Sequence, residues 1–305
     1  MVFKGYILEI CLGLSHVFKG REWKGEDLSL ARQYTQLTTL ELWNGVGTGF
    51  RYHMSCDDTF RDFVMTQMQE ARRIKTSLRK RSVREVIKNL SVRGIEIVEE
   101  LVEYDASDIV GLIGEIVLED FATNPSMEPI FPKWRIGGTS KSRGIDLVAR
   151  MKMNGQWVLI LCEAKHIHKA AKNSRQELRH NLIKSRFRIG LDEFENEKTK
   201  INLLNIVMGL NDIIARGEAV KLDVELAKEY RNLISMGLAN DRYQINVVVL
   251  IDAKYCDETL LDRSISELPI PVEVGGNRQI TLTLLESHLI EKATDGVCHN
   301  FVGSP

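Results

Sequence analysis

Apolar positions Ile109, Leu112, Ile113, Ile116, Val117 and Phe121 recur at three- and four-residue spacings. They predict a helix from Ser107 or Asp108, either able to cap it, to about Ala122. Next, Glu128–Ile136 reads as a strand, and Pro129 and Pro132 place it at a sheet edge. Two further strand-like runs, Gly144–Met153 and Gln156–Lys165, flank Asn154-Gly155, the strongest short hairpin signal. Trp157–Cys162 is apolar on both faces, which predicts a central strand covered by helices. A helical stretch follows from about Ala170 to about Ala239. Tyr243–Ile251 and Arg278–Leu285 then read as further strands.

Residues 1–100 mix short apolar pieces with turn signals, then a long basic stretch, about 58–91, that reads as helix and ends at Gly94. The expected organisation is an N-terminal α+β domain over 1–100 and a second α/β domain over 101–305. Gly45, Gly47 and Gly49 form a lone cluster. It lacks the following helix and acidic residue of a dinucleotide fingerprint and reads as a hairpin loop. Gly137 to Ser142 lacks the spacing of a phosphate-binding Walker loop.

The 305 residues, 44% hydrophobic and 27% charged, supply ample core and exclude a disordered, collagen-like or coiled-coil chain. No apolar run approaches the ~20 residues of a membrane span, and Lys4 and Glu9 interrupt the apolar start, so no leader is expected. Five scattered cysteines without a C-x-x-C pair fit reduced thiols and a cytoplasmic location, with Cys162 in the core.

Charge sharpens the picture. The chain carries 41 Lys+Arg and 42 Asp+Glu, a net of −1. Yet nine basic residues face one acid between Arg72 and Arg93, and eight face one between Lys165 and Arg188. One such segment reads as a solvated helix face. Two favour a polyanion partner, because clustered Lys and Arg neutralise phosphates and release counterions.

The hairpin carries the chemistry. With a two-residue turn at Asn154-Gly155, paired residues sum to 309, so Asp146 opposes Glu163 on one face, Cβ atoms about 4.5–5.5 Å apart. The strand period of two puts Lys165 beside Glu163 and Ala164 on the other face. Opposed like charges are costly, and a hard divalent cation is a natural compensator. The charges gather at the carboxyl end of the strand, the rim where α/β sheets place their sites.

Glu115 on a helix, Gly144-Ile145-Asp146 on one strand and Glu163-Ala164-Lys165 ending the next resemble the PD-(D/E)XK nuclease superfamily. The likeness covers about 107–190, with Tyr243–Ile251 as a later core strand. It implies that family's αβββαβ core, with 190–240 as a helical insertion. More loosely, the pattern is similar to the nuclease subunits of Hachiman antiphage-defence systems, which work with a helicase partner. The resemblance implies hydrolysis of phosphodiester bonds, DNA being the expected substrate, with Mg²⁺ (or Mn²⁺) held by Asp146, Glu163, the Ala164 carbonyl and, directly or through water, Glu115. Lys165 would orient water or stabilise the transition state, and Gln176 would position Lys165 or the phosphate. Arg175, Arg179, Lys184 and Lys141 would grip nucleic acid. A helicase or other protein partner would regulate activity, and no membrane is involved.

Other readings stay open. Glu115 and Glu119 share a polar stripe that could simply face water. Asp252-Ala253-Lys254 nearly repeats the Glu163-Ala164-Lys165 ending but lacks an acid on a hairpin mate, and Glu22-Trp23-Lys24 has no strand partner. His166 and His168 could bind a transition metal, yet without a third ligand they read as substrate-contacting or exposed. Trp23, Trp43, Trp134 and Trp157 read as core rather than as a base-stacking platform. A non-catalytic nucleic-acid-binding or scaffold subunit on the same fold is the main alternative. A small-molecule enzyme using the acidic pair is the third.

Overall fold

The computed structural model describes residues 34–43, 47–56, 59–69, 106–123, 127–132, 145–168, 176–194, 196–220, 224–240, 242–256, 258–268 and 279–302. Within them a seven-stranded mixed sheet runs β1-β2-β7-β6-β5-β4-β3. Its strands are β1 (Tyr34–Leu42), β2 (Gly47–Met54), β3 (Met127–Pro132), β4 (Leu147–Met153), β5 (Gln156–His166), β6 (Gln244–Asp252) and β7 (Ile280–Ser287). The helices are α1 (residues 59–69), α2 (Ala106–Ala122), α3 (Gln176–Asp192), α4 (Asn196–Val220), α5 (Val224–Asn240), α6 (Glu258–Ser266) and α7 (Ile290–Val302).

Strands β5, β6, β7 and β2 are mutually parallel, so their carboxyl ends share one rim. The β4–β5 hairpin has the register that the turn dictates, Met153 opposite Gln156 and Val148 opposite Leu161. Asn154 and Gly155 both have positive φ, 49° and 81°, which is the type I′ turn whose twist suits a hairpin. Proline-bearing β3 lies at a sheet edge, and β5 lies inside the sheet.

Alternation along the strands sorts the core into two layers. Leu159, Leu161, Val247 and Val249 pack with Ile183 and Phe187 of α3, Leu203 of α4 and Tyr230 of α5. Ile160, Cys162, Val248 and Leu250 pack with Ile109, Ile113 and Ile116 of α2, Phe60 and Val64 of α1, and Val297 of α7. The molecule is thus α/β, with helices on both sheet faces. Close approach of α3 to β6 requires Gly190: a Cβ there would lie 2.6 Å from Val247 Cγ1.

Some expectations change. β1 and β2, from the stretch read as a separate N-terminal unit, join the common sheet through the parallel β2–β7 pairing. Of that stretch, 1–33 and 70–100 lie outside the described residues, and with them Trp23 and the whole basic run 72–93. Gly47 and Gly49 belong to β2 rather than to the loop. Trp157 is not core: next to the hairpin turn, it is 39% exposed. Among the described residues no helix is long and apolar enough to cross a membrane. Cys56, Cys162, Cys256 and Cys298 are free thiols.

Candidate functional site

β4 begins at Leu147, opposite Cys162, so the last residues of β5 run on past their hairpin mate. From Glu163 to His166, β5 pairs with β6 alone among the described strands. A gap opens at this edge of the sheet, and side chains from both faces reach it. It is a cleft of about 430 Å³ lined by Glu115 of α2, Asp146, Glu163, Lys165, His166 and Arg186 of α3, among others.

Asp146 occupies the bend before β4. Its Oδ2 accepts the backbone N–H of Ala164 at 2.9 Å, so a side chain continues the ladder where backbone pairing stops. An extended residue turns its N–H and C=O to the same neighbour, so the Ala164 carbonyl also faces this edge. Asp146 and Glu163 are 4% and 3% exposed. Lys165 Nζ donates to Glu163 Oε1 at 2.5 Å. Burial alone would lower the Lys165 pKa. Attraction to Glu163, that hydrogen bond, and the charges of Asp146 and Glu193 outweigh it, and the ammonium is held above the usual lysine value. Burial raises the neighbouring Cys162 thiol, with Asp146 and Glu163 adding to the effect, so the sulfur is a protonated core group rather than a nucleophile.

Glu115 is buried and lines the cleft, and Glu119 is buried too, so their helix stripe does not face water. α2 lies against β5 here, with Gly114 over Ala164 and His166. Neither histidine is exposed. His166 Nδ1 is 3.2 Å from the Val110 carbonyl, which makes Nδ1 the protonated nitrogen, and His168 Nε2 lies 3.0 Å from Asp295 Oδ1. Burial pushes the His166 pKa down to about 4, against the raising effect of the Val110 carbonyl.

The other predicted residues are placed less fully. Gln176 and Arg179 lie on the first turn of α3, while Arg175 and Lys141 fall outside the described residues. Lys184 Nζ turns to Glu267 Oε2, 3.5 Å away, instead of to the cleft. Among the described side chains of α3, Arg186 is the cation that lines it. Lys184 and Arg186, two positions apart on a helix, point about 200° apart, so both cannot face the same way. Arg186 sits within the basic run, seven residues and nearly two full turns beyond Arg179, and that spacing was the signal that could have found it.

Asp252-Ala253-Lys254 takes a different shape from its near copy. Asp252 Oδ1 caps a 3₁₀ turn, Ala253–Tyr255, by accepting the Lys254 N–H at 3.0 Å. The Lys254 ammonium is bound by Glu291 of α7. Glu22-Trp23-Lys24 lies outside the described residues.

The oxygens available to a hard cation are those of Asp146, Glu163 and the Ala164 carbonyl, with Glu115 across the cleft. No group of three or more His, Cys, Asp and Glu side chains suited to a metal occurs among the described residues. No protein-family model matches the chain, and no curated protein matches its sequence.

Proposed function

We propose that the chain is a Mg²⁺-dependent nuclease acting on DNA, built on a PD-(D/E)XK-like αβββαβ core formed by α2, β3, β4, β5, α3 and β6, with α4 and α5 as the helical insertion. The supporting observation is the gap beside β5, where Asp146, Glu163 and Lys165 meet in one cleft with Glu115 and Arg186. Two buried carboxylates and a carbonyl are hard oxygen donors. Mg²⁺ is commonly held by one or two carboxylates, with water and substrate completing its shell, so a three-side-chain cage is not required.

When bound, such an ion would supply an activated water and neutralise charge on the phosphoryl group. Asp146 and Glu163 would hold it, the Ala164 carbonyl adding a third protein oxygen and Glu115 a direct or water-bridged contact. Lys165 already has its proton and is anchored by Glu163, so it is set to donate hydrogen bonds to a phosphoryl oxygen as negative charge builds there. Arg186, exposed at the cleft wall, would neutralise a flanking phosphate. Gln176, Arg175 and Arg179 belong to the chain segment entering the same helix and would extend this grip.

An antiphage-defence role with a helicase partner is part of the proposal and rests on the sequence resemblance. The decisive experiment is plasmid cleavage with Mg²⁺, with Mn²⁺, and with EDTA. Cleavage needing the metal and lost in both Glu163→Gln and Lys165→Ala is expected. Cleavage surviving both substitutions would remove the nuclease assignment from this cleft. DNA binding without cleavage by the native chain, alone and with its copurifying partner, would favour the scaffold reading.

A further inference from the structure

At the opposite end of β5, about 20 Å from Glu163 by strand rise, lies a second cleft of about 460 Å³. Its floor holds Trp157, 39% exposed, and its wall holds Met236, 64% exposed. One face of the Trp157 indole is covered by the Arg150 guanidinium, 4.0 Å from the ring centroid. Arg150 is itself held by Glu128 and Glu229, at 2.8 and 2.5 Å, so the ring rests on a fixed support.

The rest of the lining is unusual for an apolar docking surface. Four amide side chains, Gln156, Asn240, Gln244 and Gln279, surround the cleft. Gln244 Nε2 donates to Gln279 Oε1 at 2.9 Å, which leaves the carbonyl of one amide and the NH₂ of the other to present an acceptor and a donor. Among the described residues Arg242 is the one charged lining residue, and Lys152 Nζ lies 5.9 Å from the Trp157 ring. Both cations are exposed, and neither has a carboxylate partner among the described residues. No acidic side chain lines the cleft among the described residues.

From this we infer that the cleft is a nucleotide subsite: a nucleobase stacks on Trp157 and Met236, the amides bond its edge, and Arg242 and Lys152 take the phosphate. A flat face plus donor and acceptor pairs suits a base edge, and the exposed cations Arg242 and Lys152 suit the anion attached to it. An apolar peptide would leave Gln156, the free ends of the Gln244–Gln279 pair and Arg242 unmatched. The inference stands whether or not the Glu163 cleft cleaves.

The nucleotide could belong to a single strand or be free. The full chain in EDTA is titrated with a fluorescein-labelled 12-nucleotide oligodeoxyadenylate and, separately, by calorimetry with AMP. Trp157→Ala should weaken binding about tenfold, within the range for removing one stacked base, whereas Trp157→Phe should retain most of it. Arg242→Gln, at an exposed position, tests the phosphate contact without the packing change at Trp157. It should weaken the oligonucleotide severalfold and flatten the salt slope by about one. Trp157-dependent binding of the oligonucleotide in preference to AMP identifies a strand site, and the same dependence with AMP bound as well as the oligonucleotide identifies a free-nucleotide site. No binding of either probe, or binding indifferent to Trp157→Phe, Trp157→Ala and Arg242→Gln alike, overturns the inference. Loss of plasmid cleavage in Lys165→Ala tests the nuclease reading, and loss of probe binding in Trp157→Ala and Arg242→Gln tests this site, so the two fail separately.

Discussion

Asp146 Oδ2 takes the Ala164 N–H at 2.9 Å, one step past the last backbone pair of the hairpin, Leu147 with Cys162. One carboxylate therefore serves both the fold and the proposed chemistry. Asp146→Asn retains an acceptor for the amide but not the charge. It should fold with near-native stability and lose metal-dependent cleavage by at least about a hundredfold. Asp146→Ala should also lose about 1–3 kcal/mol of stability, the cost of a buried N–H left unbonded. Denaturant melts beside plasmid assays read both, and native cleavage by the Asn variant would remove Asp146 from catalysis.

Gly190 sets how closely α3 lies on β6. Gly190→Ala pushes a methyl against Val247 Cγ1, 2.6 Å away, and should cost about 1–3 kcal/mol. Because the two residues collide, Gly190→Ala with Val247→Ala should cost less than the sum of the single changes by more than about 0.5 kcal/mol. Additive urea midpoints would show that α3 accommodates the methyl without Val247.

Arg150 joins β3, β4 and α5: it pairs with Glu128 and Glu229 and lies 4.0 and 4.9 Å from the Trp157 and Tyr230 ring centroids. Arg150→Ala removes both pairs and the stack, and with Glu128 and Glu229 partly open to water about 1–2 kcal/mol should be lost. Arg150→Lys should recover little, since an ammonium can neither fork to carboxylates nor stack flat. Full rescue by Lys in thermal melts would reduce the cluster to simple charge pairing.

His166 makes stability depend on acid. Unfolded, its imidazole titrates near 6.5; folded, burial holds it at about 4. Between these values the unfolded chain binds the proton first, so stability rises with pH and is lost as pH falls through that window. The loss at pH 4 should reach about 3 kcal/mol for this group. His166→Asn, which can still donate to the Val110 carbonyl, should flatten the acid limb of stability measured in EDTA. An unchanged slope would place the acid sensitivity elsewhere.

Much of this was legible in the chain because local rules dominate it. Asn154-Gly155 fixed the hairpin register, the α2 period was read with ends within a residue or two, and the two prolines marked β3 as an edge. What escaped depended on neighbours distant in sequence. Nothing in Trp157 itself tells that the helix layer stops short of it, and nothing in Glu115 tells that its stripe meets a sheet edge instead of solvent. Lys184 and Arg186 are equal as basic residues, and helix phase against α6 and the cleft separates them. The two acid-Ala-Lys endings differ in the same way: one strand outruns its mate, while the other bends at once into a 3₁₀ turn. Joining β1 and β2 to the sheet needed a pairing across more than 200 residues, for which no short-range pattern exists.

The sheet divides the interior into two layers, and the gap beside β5 is a seam at which α2 from one and α3 from the other border a shared space. Anything held there is gripped from both sides at once. Such an occupant acts as a rivet: it resists separation of the layers and should make them melt as one unit, at a temperature that climbs with its concentration.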